Sequence, residues 1–185
     1  MLRRLLVPAL VTTGLVAGSF GTAHAATVAP EQWAPKFCNA VAAYQQTISD
    51  KGDALSSALD TTTDLAAARS QVVAFLGEMA TAAKTAKQKI QQAGSPSTPN
   101  GSKIAAKFAQ GLDASAKVFT KAKAQAAKIS TSSVEAFQTQ GKKVGTDLSA
   151  AGEELSKSFN GIGKLDKGKK LEAAVKAAPE CASIT

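Results

Sequence analysis

The sequence predicts an all-α domain, an up-down-up-down four-helix bundle with a short C-terminal helix and its termini joined by one disulfide. Three observations predict it. Apolar residues recur at steps of three and four along four long segments, the spacing of one helix face. The composition is rich in alanine and lysine, and aromatics make up only 5% of it, with one Trp and one Tyr. Such a composition favours helix over strand. Two cysteines, Cys38 and Cys181, stand near the two ends of the chain that follows an N-terminal leader.

The leader covers residues 1–25. Arg3 and Arg4 make a positive start, an apolar run follows from Leu5 to Ala17, and Ala23-His24-Ala25 is a small-x-small cleavage site. These are the three parts of a secretory signal, with cleavage expected after Ala25. The apolar run is shorter than the roughly 20 residues that span a bilayer. No later stretch is apolar enough to form a transmembrane segment. Residues 26–185 are then a single domain, secreted or held at the cell envelope. Their length is enough for one hydrophobic core.

The first helical segment carries Phe37, Val41, Tyr44, Ile48, Leu55 and Leu59 on one face. Gly52, near Asp50 and Asp53, is a place where this helix would kink or split. Thr61-Thr62-Thr63-Asp64 offers an N-cap for the second segment, which carries Leu65, Val72, Leu76, Met79, Ala83, Ala86 and Ile90. Gly94 to Gly101 holds two prolines and reads as a loop. The third segment carries Ile104, Phe108, Leu112, Ala116, Phe119, Ala122, Ala126 and Ile129. Ser130-Thr131-Ser132-Ser133, followed by Glu135, starts the fourth. That segment carries Val134, Phe137, Val144, Leu148, Ala151, Leu155 and Phe159, with Gly141 in the stripe, and Asn160-Gly161-Ile162-Gly163 ends it. A short fifth segment carries Leu171 and Val175.

Four helices of this length with short connections run antiparallel to their neighbours. After four passes the chain is back at its starting pole, where Cys181 reaches Cys38. Export places both thiols in an oxidising compartment, so a bond between them is expected. Closing a 143-residue separation removes chain entropy worth up to about 5 kcal/mol in the loop-closure account.

Several short motifs together carry a resemblance. Phe37-Cys38, Arg69 followed by Phe75-Leu76, the Gly-x-Pro-x-x-x-Asn-Gly loop at 94–101, and Pro179-Glu180-Cys181 resemble small exported helical proteins of actinobacterial type. The resemblance implies a helical secreted domain with a terminal disulfide. It implies no activity.

The residues argue against catalysis and against a cofactor. His24 is the sole histidine and leaves with the leader, which removes the commonest general base and metal ligand. Haem ligation is left with Tyr44, Met79 or a free cysteine. Glu153 and Glu154 point about 100° apart on a helix, so they do not face each other as a catalytic pair. Asp50 and Asp53 lack the ligand density of a calcium loop. No phosphate-binding loop or nucleophile elbow is present.

Charge is more informative. Loss of Arg3 and Arg4 with the leader leaves 20 basic side chains against 14 acidic ones, a formal charge of +6. From Met79 to Val134 there are nine lysines against Asp113 alone, whereas residues 31–64 hold five acids and two lysines. Lys84, Lys87, Lys103, Lys107, Lys117, Lys121 and Lys128 form a candidate anion-binding face. Its expected partner is an anionic envelope polymer, lipid headgroups or an acidic protein. The bland alternative is lysines that only keep the domain soluble. Nucleic acid is not expected, because arginines and aromatics are not interleaved with the lysines.

Arg69 is the one arginine after the leader. It sits between Leu65 and Val72 on the apolar stripe. Two readings stand: a buried ion pair with a neighbouring helix, or an anchor for a bound anion. Gly141, Gly145 and Gly152 on the fourth helix mark either close helix approach or room for an apolar ligand. The function expected is therefore binding or scaffolding outside the cell. The alternative is a carrier of a small apolar or amphipathic ligand in the bundle core.

Overall fold

A computed structural model describes residues 27–159 and 162–182. The leader, its cleavage point after Ala25 and the Asn160-Gly161 break lie outside the described residues. So do the side chains of Glu154, Leu155 and Phe159. The elements in chain order are β1 (Thr27–Val28), α1 (Pro30–Thr61), α2 (Leu65–Ala93), β2 (Ser95–Pro96), α3 (Gly101–Ala126), α4 (Val134–Phe159), α5 (Ile162–Leu165) and α6 (Lys170–Ala177), followed by a 3-10 turn at Pro179–Cys181. The chain is mostly helical, as its composition predicts.

α1 starts on Pro30, whose fixed φ and missing N–H suit a first helical position. It runs unbroken through Gly52, so the helix is not split there. Asp64 caps α2, its carboxylate accepting from the Ala66 amide at 2.8 Å. Within the Thr61–Asp64 run it is thus Asp64 that serves as the cap. Ser133 plays the same part for α4, its hydroxyl accepting from the Ala136 amide at 3.2 Å.

α2 ends where Gly94 takes φ 80°, a left-handed conformation that glycine enters without steric cost. The loop that follows is not irregular throughout. Ser95–Pro96 pairs in parallel with Thr27–Val28, and the Ser97 amide donates to the Val28 carbonyl at 2.7 Å. Two-residue strands leave almost no periodic signal, so this pairing was not legible in advance.

Helix pairing is fixed by contacts between named residues. The Trp33 indole donates to the Gly94 carbonyl at 3.0 Å and Lys51 meets Glu78 at 3.1 Å, so α2 returns along α1. Lys87 meets Asp113 and Arg69 meets the Ile129 carbonyl, so α3 returns along α2. Gln125 meets Asp147 at 3.1 Å, which sets α4 against α3. α6 and the 3-10 turn pack on α1, and α5 packs on α3.

The core has two centres. One gathers Trp33, Phe37, Ile90, Ile104, Leu112 and Leu171 around the Cys38–Cys181 disulfide. Trp33 stacks on Phe37 with ring centroids 4.7 Å apart, and Phe37 tilts against Phe108 at 4.5 Å. The other gathers Leu76, Ala122, Ala126, Ile129 and Val144, with Phe75, Phe119 and Phe137 at its edge. Buried alanines such as Ala83 and Ala116 occupy helix contacts along α2 and α3, where small side chains let helix axes approach.

Gly101 is where a glycine is indispensable. A Cβ there would lie 1.7 Å from the Pro96 carbonyl oxygen. Gly141, Gly145 and Gly152 behave differently. Nothing lies within 4 Å of a Cβ built on any of them, so they mark no close helix approach. Gly101→Ala is therefore expected to destabilise the fold by about 2 kcal/mol or more through overpacking. Gly145→Ala should stabilise it by about 0.5–1 kcal/mol through helix propensity. Urea unfolding of the two variants checks this, and a pair of equal effects would contradict the packing described here.

Candidate functional site

α3 presents two unlike faces. Ile104, Leu112, Ser115, Ala116, Ala122 and Ala126 are buried against its neighbours. At about 100° per residue, Lys103, Lys107, Lys117, Lys121 and Lys128 all fall within an arc of about 80° on the opposite side. All five are exposed. Lys128 lies just beyond the last turn of α3, on the same line. From Lys103 to Lys121 the row is about 27 Å long at 1.5 Å rise per residue. The spacing read from the sequence thus corresponds to one physical surface.

The other two nominated lysines sit on α2 and diverge. Lys84 is exposed. Lys87 is half-buried and turns toward α3, where it meets Asp113. Asp113 is the one acid on α3, and Lys117 closes on its other oxygen at 2.9 Å. Two of the seven lysines are therefore held by Asp113. Lys84, Lys103, Lys107, Lys121 and Lys128 have no carboxylate within ion-pair distance among the described residues. Lys103, Lys107 and Lys121 lie along α3 and Lys128 just past its end, so the row carries a net positive field into solvent.

Hydrogen bonds from Lys87 first, and from Lys117 second, lower the Asp113 pKa from 3.8 to about 2. Tyr44 moves the other way. Burial raises its phenol pKa, partly offset by a hydrogen bond with Ser115. That contact carries a polar link from α1 to the buried face of α3.

Arg69 forms no ion pair among the described residues. It is half-buried, and its guanidinium donates to the Ile129 carbonyl at 3.1 Å. Ile129 follows the last turn of α3, where carbonyls lack helical partners and the helix dipole favours a cation. The arginine thus satisfies the end of a neighbouring helix. It also lines a shallow groove of about 330 Å³ with Ser70, Val73 and Lys123.

Cys38 and Cys181 are bonded, with Cα atoms 5.0 Å apart. No free thiol remains. Among the described residues no group of three or more His, Cys, Asp and Glu side chains is placed to hold a metal ion. No described helix is long and apolar enough to cross a membrane. No family model, curated protein or solved structure matches the chain.

Sequence reasoning passed over Lys123. It lies off the α3 row, and its side chain reaches across α2 to Gly77, with Nζ 3.1 Å from where a Cβ would stand. Lysine and glycine 46 positions apart in sequence carry no local signal of such a contact.

The Asp113 arrangement has a pH consequence. Folding lowers this pKa, so the pairing adds stability above the unfolded value of 3.8 and loses it as pH falls through about 2. A carboxyl titration followed by NMR should give Asp113 a midpoint near 2 in the native protein. Lys87→Met should raise that midpoint toward the ordinary value. A midpoint unmoved by the substitution would show that Lys87 is not its main partner.

Proposed function

We propose that this is an exported, envelope-associated binding protein whose outer α3 face holds a linear anionic polymer. The observation that carries the reading is the row of lysines on the side of α3 away from the core. Its cations repeat along about 27 Å of a straight helix, which suits an extended polyanion better than a compact ligand. The leader supplies export, and the disulfide is compatible with an oxidising compartment. That the four long helices form one up-down-up-down bundle belongs to the same proposal, and the antiparallel pairings of α1 with α2, α2 with α3 and α3 with α4 are what supports the alternating direction. The role is binding, not catalysis.

The carrier reading draws no support from the residues first offered for it. Gly145 and Gly152 are exposed, so the open space beside them is solvent and not a cavity in the core, and Arg69 donates to the Ile129 carbonyl.

Attraction of this kind is screened within about 8 Å at physiological ionic strength. The protein secreted by a bacterial host should therefore be retained on insoluble cell-wall polyanion at low salt and released as salt rises. A variant with Lys103, Lys107, Lys121 and Lys128 all changed to Gln should bind on the order of tenfold more weakly or worse. Its melting temperature should stay close to that of the parent. Retention indifferent to salt, or unchanged in the variant, would overturn the proposal. Equal binding to anionic lipid vesicles that lack the polymer would redirect it to headgroups.

A further inference from the structure

A second candidate site lies away from the lysine row. It is a groove of about 700 Å³ between the middle of α1 and α2, with one residue of α3 at its edge. That volume lies in the range of small-molecule sites. Small side chains line it, the alanines Ala43, Ala82 and Ala86 together with the threonines Thr47, Thr81 and Thr85, and of the three alanines Ala86 lies deepest. Tyr44 adds a ring, whose hydroxyl is committed to Ser115 and whose raised pKa keeps it neutral. The walls therefore offer hydrocarbon contact with little charge.

Charge enters at the rim. Lys51, Lys89, Lys123 and Glu78 line the groove. Lys51 is paired with Glu78 at 3.1 Å, so these two offset each other. Lys89 and Lys123 have no carboxylate within ion-pair distance among the described residues. The groove thus carries two uncompensated cations beside small, uncharged side chains. Lys123 is the more telling. A lysine on an exposed helix commonly extends into water, yet this one lies across α2 at the one place where Gly77 leaves room for it. Gly77 and Lys89 are twelve residues apart on α2, or about 18 Å, so the two cations mark opposite ends of an elongated site.

We infer that this groove binds a single-chain amphipathic anion, its carboxylate at Lys123 and its hydrocarbon along the alanines toward Tyr44. An uncharged apolar molecule would leave the Lys123 ammonium unanswered, whereas Lys89, exposed at the other end, stays in water. A small hydrophilic anion would forgo the alanines. An amphiphile meets both. The site shares no lysine with the α3 row and does not depend on the polymer-binding reading.

Isothermal titration calorimetry with dodecanoate, below its micellar concentration, tests it on the secreted protein. Saturable binding at one site is expected, with dodecanol and acetate each at least tenfold weaker. Lys123→Gln should weaken dodecanoate binding about tenfold. Ala82→Phe, which fills the groove, should abolish it. Lys107→Gln, on the outer face of α3, should leave it unchanged. Circular dichroism melting of each variant confirms that it folds. Absence of saturable binding to the folded parent would overturn the inference. So would equal affinity in the parent and Lys123→Gln, or equal affinity for dodecanol and dodecanoate.

Discussion

A fully buried indole must find an acceptor for its N–H, because an orphaned donor in the interior costs about 1–3 kcal/mol. Trp33 finds it in the Gly94 carbonyl, and much of the architecture follows from that one bond. For Gly94 to present its carbonyl there, α2 must stop and the chain must turn, which the positive φ of Gly94 allows. The turn delivers Ser95–Pro96 beside Thr27–Val28. Pro96 in turn presses its carbonyl against Gly101, the first residue of α3. Asn100, in the same loop, donates to the Leu165 carbonyl at 2.7 Å and so fastens α5. Asp166 follows, accepting from the Glu172 amide at 2.8 Å to start α6. α6 then carries Cys181 back to Cys38. One pole of the molecule is thus tied by a succession of polar contacts around a large aromatic, and the disulfide completes the tie covalently.

The opposite pole is built by other means. Its centre is Leu76, Ala122, Ala126, Ile129 and Val144, with neither a fully buried aromatic nor a covalent link. The Ile129 carbonyl that ends α3 would be poorly satisfied there without Arg69. The molecule therefore concentrates large side chains and the cross-link where its termini meet. At the far end it relies on small residues and one arginine. A domain with few aromatics has little choice in this, since only Trp33, Tyr44 and the phenylalanines bury large areas.

What was legible in the sequence followed from periodicity. The four long helices show at steps of three and four because packing against a neighbour selects one face. The Asp64 and Ser133 starts were legible because a cap needs a side-chain oxygen next to free amides. The lysine row was legible for the same reason as the core, since it is the complementary phase of the same helix. Illegible were the contacts whose partners are far apart in sequence. The β1–β2 pair, Trp33 with Gly94 and Lys123 over Gly77 join segments that carry no shared period. The glycines misled in a related way. Gly141 and Gly145 looked like packing positions because they lie on a helix, whereas the glycine that packing requires, Gly101, was hidden inside a loop. Composition shows where glycine is, but only the third dimension shows what would meet a Cβ.

The division between arginine and lysine bears on what the α3 face can recognise. From residue 26 onward the chain uses nineteen lysines and one arginine. The arginine donates to a backbone carbonyl, where a planar, weakly hydrated guanidinium is better suited than an ammonium. The lysines of the α3 row stay in water, each a compact, strongly hydrated charge on a flexible stem. Such a surface lacks the paired donors that fix a carboxylate or phosphate in one orientation. It attracts charge density without reading its geometry. A partner held this way is selected by linear charge and length, and it can slide or exchange along the row. This is the behaviour expected of attachment to a repeating polymer, and not of recognition of a single folded epitope.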